Sequence, residues 1–375
     1  MKQHLGHTVA SPIALVLFFL TVFSTNGAEP KTPVFTNFFG QTQLHASLRL
    51  RYDMTEFDRS DGNSDRERVR LRARLGLIHK FFEPIALGAR LSTGSQEATS
   101  AHIDFGNDWE GFEYKLDQAY VRFTPKPAVK FWVGQIPNPI LEANLLWDKD
   151  VNPQGLGEQF SWNVAKETKV FVNAGQFFLD HFWDDTDPKV FIGQVGAGWK
   201  SVSSLGLRGA LAYYDYVQVR GEKVPFQRGT NSRRPDDSLR YDYNILALFG
   251  ELDYDVSIPP FGSTPFRLTL EASQNVAVSR AGTGFKTDLR LGKTKHRGDL
   301  SLIYSFERLE RDATLDSLSE SSWHGQRVNF YGHRLSGRYY LLDQCYFNVS
   351  LRFMRAIDGP KDHQRQFNFD LAWEY

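Results

Sequence analysis

From residue 44 onward, apolar and polar side chains alternate one by one. Leu44, Ala46, Leu48, Leu50 and Tyr52 fall on one face of an extended chain, with His45, Ser47, Arg49 and Arg51 on the other. The clearest stretch runs from Arg66 to Lys80, where Val69, Leu71, Ala73, Leu75 and Leu77 oppose Arg68, Arg70, Arg72 and Arg74. A helix would scatter these two sets around its axis. A strand separates them, because successive side chains point to opposite faces. Phe347, Val349, Leu351 and Phe353 repeat the pattern, as do Phe367, Phe369, Leu371, Trp373 and Tyr375. Extended along the chain, it predicts about sixteen strands. They lie near 44–53, 67–80, 85–93, 114–124, 128–136, 159–166, 169–180, 189–200, 205–217, 241–257, 265–279, 285–293, 298–309, 326–341, 345–355 and 365–375.

The connections alternate in length. Links 54–66, 94–113, 137–158, 218–240 and 310–325 are long, whereas 81–84, 124–127, 166–168, 201–205 and 342–344 are short. This is expected when every strand crosses one membrane, with tight turns on the periplasmic side and long loops outside. An even strand count puts both termini on the periplasmic side. Two links depart from the trend: 258–264 carries two prolines and a glycine where a tight turn belongs, and 280–284 is short for an outer loop. In lipid every backbone N–H and C=O must be paired, and a closed barrel pairs them without leaving an edge. The predicted fold is therefore all-β, a transmembrane antiparallel β-barrel with an apolar outer face and a polar inner one. Sixteen strands should leave an aqueous bore rather than a packed core. A soluble sandwich or β-helix would bury larger and more continuous apolar strands.

Residues 1–28 read as a cleaved signal peptide: Lys2 opens it, an apolar run spans Ile13 to Phe23, and small residues Ser24 to Ala28 close it. That run of about 11 residues falls short of the roughly 20 needed for a membrane-spanning helix. Residues 29–43 then form a periplasmic N-terminal segment and 44–375 the barrel. No cysteine lies near the cut, so a lipoprotein anchor is excluded. Lys+Arg and Asp+Glu are each 44 in 375 residues, which argues against a nucleic-acid partner. One cysteine, Cys345, excludes a disulfide scaffold or a thiolate metal site. Aromatic residues make up 14%, a load that suits girdles at two membrane faces. The partner this implies is outer-membrane lipid. The ending Leu371-Ala372-Trp373-Glu374-Tyr375 resembles the terminal recognition signal of bacterial outer-membrane barrels.

Arginine facing hydrocarbon costs about 2–4 kcal/mol at mid-depth, so Arg49, Arg51, Arg68, Arg70, Arg72, Arg74 and Arg90 must line the pore. Two readings stay open. The row is a basic strip that attracts anionic solutes, or it is a wall neutralised by lumenal carboxylates and inward loops. Loop 137–158 supplies the candidate constriction. Its Glu142, Asp148, Lys149 and Asp150 could stand opposite the strip and set up a transverse field, with Pro137, Pro139 and Pro153 to stiffen it. The alternative is an outward-facing loop.

Five stretches, in this order and spacing, look like the "putative porin" family of outer-membrane barrels. They are Arg68-Val69-Arg70-Leu71-Arg72-Ala73-Arg74-Leu75-Gly76-Leu77, Ala89-Arg90-Leu91-Ser92-Thr93-Gly94, Leu116-Asp117-Gln118-Ala119-Tyr120-Val121, Gly134-Gln135-Ile136-Pro137-Asn138-Pro139, and Leu146-Trp147-Asp148-Lys149-Asp150-Val151-Asn152-Pro153-Gln154-Gly155. Gln135 stands where the family more often carries lysine. The second half of the chain matches in strand pattern alone. The resemblance implies a passive pore for small hydrophilic solutes in the bacterial outer membrane, and analogy with general porins adds a homotrimer.

Other chemistry is thin. There is no Gly-x-Ser-x-Gly elbow, no phosphate-binding loop and no His-Glu-x-x-His, and no cofactor is implied. His181, Asp184, Asp185 and Asp187 cluster in a loop but lack a calcium-loop pattern, so a solvated acidic loop is the expectation and no metal is assigned. His324 and His333 read as surface or lumen residues. The leading function is a diffusion pore that leans toward anions. The alternatives are an outer-membrane barrel enzyme of lipase or protease type, for which no serine or aspartate with a positioned histidine stands out, and a polysaccharide exporter.

Overall fold

The computed structural model describes residues 34–37, 40–59, 65–106, 111–142, 144–180, 187–201, 204–259 and 262–375. The signal expected at 1–28 lies outside them. Sixteen long strands form the wall. They are β1 (Gly40–Arg59), β2 (Arg66–Phe82), β3 (Ile85–Thr93), β4 (Tyr114–Lys126), β5 (Val129–Gln135), β6 (Gln154–Ala165), β7 (Thr168–Phe178), β8 (Lys189–Lys200), β9 (Gly206–Val217), β10 (Tyr243–Ile258), β11 (Gly262–Asn275), β12 (Thr283–Gly292), β13 (Leu300–Leu309), β14 (Phe330–Leu342), β15 (Cys345–Ala356) and β16 (Asp362–Glu374). Each pairs antiparallel with its neighbours in sequence, and β16 returns to β1 with Asp370 opposite Arg51 and Phe369 opposite Tyr52. The cylinder is closed, so no strand edge is left unpaired. Backbone bonds between Ala46 and Tyr375 in both directions extend the seam to the last residue.

Two small pieces complete the sheet. Val34–Asn37 pairs with the start of β1, and Ile103–Asp104 pairs with β2 at Arg70 and Leu71, beyond the point where β3 ends. The outward side chains are those that alternation assigned. Leu50, Leu75, Leu77, Leu91, Val133 and Val195 are exposed, an arrangement stable only against hydrocarbon. Trp373 and Tyr375 stack at 5.8 Å at the closing end of β16. At the 258–264 link, β10 runs to Ile258 and β11 begins at Gly262, and these two residues are paired.

Boundaries move where the pattern is masked. The first strand begins at Gly40 and runs to Arg59, well past 44–53, since the inward series continues through Asp53 and Thr55. The sixth starts at Gln154 rather than 159, because Gly155 and Gly157 have no side chains to display a period.

The larger departure concerns the bore. Part of it is filled. Loops 136–153, 218–242 and 310–329 fold into the barrel and bury an apolar core against the inner faces of β7 to β10. Leu145, Leu146, Trp147, Val219, Leu239 and Trp323 come from the loops; Phe177, Tyr214, Tyr216, Tyr243 and Ile245 come from the wall. The loops also bind one another. The Asp148 N–H donates to the Leu318 carbonyl at 2.7 Å, the Ser321 N–H to Asp148 Oδ2 at 2.6 Å, and the Thr230 N–H to Asp316 Oδ2 at 2.8 Å. Three loops that leave water must cover their apolar residues, and the wall meets them with inward aromatic side chains instead of charged ones.

A candidate channel constriction

Loop 136–153 leaves and rejoins the wall at two glycines placed directly opposite each other, Gly134 and Gly155. Gly134 has φ of +119°, and a Cβ there would lie 2.3 Å from the Ala119 carbonyl oxygen. Only glycine tolerates that approach, so the loop root is fixed by backbone geometry. Beyond it, Trp147 is buried, and its indole N–H donates to the Tyr216 hydroxyl at 2.8 Å. The Leu145 N–H donates to Glu271 at 3.0 Å, and the Leu141 N–H to Gln194 Oε1 at 2.9 Å. These anchors lie on β8, β9 and β11, while Asp150 reaches the opposite wall, so the loop crosses the lumen.

The predicted arginines are brought together by register. Arg49 lies opposite Arg72 and Arg51 opposite Arg70, while Arg74 faces Ser47 and Arg68 faces Asp53. Arg90 sits on β3 opposite Gly76. Like charges at this spacing need partners, and carboxylates are threaded among them. Arg51 grips Asp370 with two bonds of 2.6 and 3.1 Å. Arg68 and Arg70 share Asp104 at 3.0 and 2.6 Å. Arg90 makes a two-pronged contact with Asp117 at 2.9 Å. Arg74 lies 3.1 Å from Asp150, with Arg72 at 4.0 Å from the same carboxylate.

The four loop residues do not act as one group. Asp150 faces the arginines. Burial opposes its ionisation, but Arg74, Lys149 and Arg72 overcome that and hold its carboxyl down at about 2. Asp148 is turned into the loop, where its oxygens accept from the backbone of Asp150 and Ser321. Burial, with Glu320 and Asp150 nearby, pushes it well above the usual carboxylate range. Glu320 pulls the Lys149 ammonium up, yet burial and Arg49 leave it lowered. Glu142 does not stand opposite the strip. It lies on the far side, bonded to Asn138 at 2.6 Å, and burial together with Glu271 raises its carboxyl well above the ordinary range. The loop spans the bore, so its two ends meet different walls.

Between the strip and the loops lies a cavity of about 340 Å³. From the wall it is lined by Arg49, Arg51, Asp53, Arg66, Arg68 and Arg70. From the loops come Glu97, His102, Asp148, Lys149, Asp150, Arg228 and Glu320. Seven basic side chains face five carboxylates, a surplus of two. Adding Arg72 and Arg74 with Asp104 and Asp370 just behind leaves that surplus unchanged. A second cavity of about 780 Å³ shares Asp150 and continues along Lys115, Asp117 and the apolar edge of the loops.

Some lining groups escape a sequence reading. Arg228, Glu97, His102 and Glu320 come from other loops, and no local pattern marks them. A second basic group, Arg208, Arg267, Arg290 and Arg334, lines a cavity of about 260 Å³ on the far wall with Glu142, Glu251 and Asp288. It contributes one arginine per strand, so only the pairing of β9 to β14 assembles it. His324 is neither at the surface nor in the open lumen; it is buried beside Phe330, 3.4 Å from Asp362. His333 is exposed on the outer face beside Tyr304. His181, Asp184 and Asp185 lie outside the described residues. Among the described residues, no group of three or more His, Cys, Asp or Glu is placed to hold a metal ion.

The profile of a family described as "putative porin" matches residues 25–247 and 261–375. No curated protein matches the chain in sequence. Solved structures do match. OprB of Pseudomonas putida aligns at TM-score 0.58 and 9% identity, over 89% of this chain and 94% of that one. OmpF of Salmonella typhi, in complex with daunomycin, gives 0.55 and 9%, over 92% and 100%. The outer-membrane channel DcaP of Acinetobacter baumannii gives 0.51 and 12%, over 91% and 99%. At these identities the likeness is one of fold.

Proposed function

The chain belongs to the "putative porin" family and is an outer-membrane porin channel, and from that premise we propose that it passes small hydrophilic solutes by passive diffusion with a preference for anions. The path runs beside the arginine strip, between β1, β2 and the three inward loops. One observation carries the reading: basic groups outnumber carboxyl groups, seven to five, in the cavity between the arginine strip and the inward loops. In a confined site of low effective dielectric, a surplus of this kind raises the local anion concentration and excludes cations. Asp150 opposite Arg72 and Arg74 supplies a transverse field that orients dipolar solutes. The loops that fill part of the bore restrict passage to small molecules.

Reversal potential in a potassium chloride gradient tests the charge preference. The expected sign is that of an anion channel, and the double variant Arg68→Gln with Arg70→Gln moves the potential toward zero. A cation-selective wild type refutes the reading. Family membership favours a non-enzymatic channel over the barrel hydrolase, and a lipid and peptide hydrolysis assay on the purified protein checks this. We further propose cleavage after a signal at 1–28, a periplasmic segment over 29–43, and assembly as a homotrimer. N-terminal sequencing of the mature protein and native mass spectrometry test these.

A further inference from the structure

The basic cavity contains one group that channel electrostatics alone does not use. His102 lies in the loop between β3 and β4, held by its N–H to the Ser100 hydroxyl at 3.4 Å. Its Nε2 is buried at the cavity and has no hydrogen-bond partner among the described residues. Arg49 Nε and Arg68 Nε, which belong to side chains lining the same cavity, are likewise without partners. The charged groups that share the space come from every surrounding element. Arg49, Arg51 and Asp53 stand on β1, and Arg66, Arg68 and Arg70 on β2. Glu97 belongs to the histidine's own loop. Asp148, Lys149 and Asp150, then Arg228, then Glu320 come from the three inward loops. At about 340 Å³ the space lies at the lower end of the range for small-molecule sites, roughly 300–1,000 Å³. Its basic side chains outnumber its carboxyl groups by two, and the Asp148 carboxyl is held toward its neutral form, so the net positive charge suits a guest carrying two negative ones.

We propose that this cavity is a binding site for a small dianion, and that His102 takes a proton from solvent as the dianion binds and donates it from Nε2 as a hydrogen bond. The inference rests on the anion-preferring reading above and deepens it. In the unliganded cavity, burial and the arginines Arg51, Arg70, Arg72 and Arg49 hold the imidazole well below its ordinary 6.5, so it is neutral. A dianion placed among those arginines cancels the repulsion and supplies an acceptor, and both effects favour the imidazolium. The proton balance is closed, with one proton leaving solvent and one arriving at Nε2. The linkage has a definite sign: affinity rises as pH falls through the window between the free and bound pKa values, by up to about tenfold per pH unit.

The test is calorimetric titration of the folded, detergent-solubilised barrel with ethanedisulfonate, which stays doubly ionised across the working pH range. Buffers of different ionisation enthalpy at one pH report the proton count. The expected result is saturable binding with uptake of up to about one proton per dianion, much weaker binding of ethanesulfonate, and no uptake in His102→Gln. His333→Gln, at an exposed position outside the cavity lining, keeps the uptake. Heat-modifiable migration of each variant identifies folded barrels, and the wild-type measurement stands without any variant. Absence of saturable binding, equal binding of the monoanion, heat independent of buffer, or uptake that persists in His102→Gln would each overturn the proposal. If those results come with an anion-type reversal potential, only this inference fails. If the potential is cation-type, the reading beneath it fails as well.

Discussion

Trp147 is the pin that holds the crossing loop in the bore, and its removal gives the sharpest test of the lumenal architecture. The indole is 1% exposed, lies 6.1 Å from both Phe177 and Tyr214 by ring centroids, and donates to the Tyr216 hydroxyl at 2.8 Å. An aromatic side chain of this kind removes about 150–250 Å² from water, which at about 25 cal/mol/Å² is worth about 4–6 kcal/mol. Large-to-alanine substitutions of buried aromatics cost about 3–5 kcal/mol. The barrel wall has its own closed hydrogen-bond network, so the loss falls on loop docking and not on the cylinder. A shift of that size changes the docked-to-undocked ratio by roughly two to four powers of ten.

Trp147→Ala should therefore leave a folded barrel whose constricting loop is mobile. In planar bilayers its single-channel conductance should rise, with added current noise, and a protease applied from outside should cut within 136–153. Trp147→Phe keeps most of the packing and gives up one hydrogen bond, about 1 kcal/mol, so it should stay close to wild type. Unchanged conductance and protease resistance in a folded Trp147→Ala barrel would refute the claim that this contact holds the loop.

Two further outcomes follow from the same geometry. Glu142 has its carboxyl raised by burial and by Glu271, so the docked loop binds a proton that the free loop loses near 4.5. Docking is thus fully favoured below that value and weakens as pH rises toward the raised one. Conductance noise should grow with pH in the wild type, and Glu142→Gln should flatten the dependence. Separately, Asp370→Leu leaves the Arg51 guanidinium buried with its two-pronged partner removed. Orphaning one member of a buried pair costs about 3–5 kcal/mol, read as a lower temperature for loss of the compact band in heat-modifiability gels.

What a sequence reveals here depends on how locally the information is written. β2 places five arginines, Arg66 to Arg74, at alternate positions of one strand, the last four beside apolar residues, and this alone dictates which face meets lipid. Arg208, Arg267, Arg290 and Arg334 obey the same rule one per strand, and only the strand pairing collects them. The filled part of the bore was hidden for a different reason. Leu145, Leu146 and Trp147 precede Asp148, Lys149 and Asp150, and a short apolar run beside charges carries no period. Likewise Leu239, Leu315 and Trp323 sit singly in polar loops. Long loops outside a barrel and long loops folded into it have the same lengths. What separates them is whether the wall behind offers apolar side chains, and here Tyr214, Tyr216, Tyr243 and Ile245 do so at inward positions of β9 and β10.

The division of the lumen has a physical logic. The arginines occupy the sector where β16 meets β1, and the carboxylates that tie them down, Asp370, Asp53 and Asp104, belong to the wall or are stitched to it by backbone bonds. Arg51, Arg68 and Arg70 are thus oriented by groups that cannot move without opening the cylinder, whereas Arg72 and Arg74 take their partner, Asp150, from the crossing loop. The inward loops are pinned on the other side by an apolar core, and from there they reach back to place Asp148, Lys149, Asp150, Arg228 and Glu320 at the cavity. Ion pairs alone would have put charged partners on both sides of a mobile loop, where salt would loosen it. Here the loops are held mainly by burial, and burial is insensitive to the ions that the channel is read to conduct. The wall's share of the field on the solute path can then stay fixed, and the loop charges stay in place as long as the apolar core holds, while the ionic strength around the protein changes.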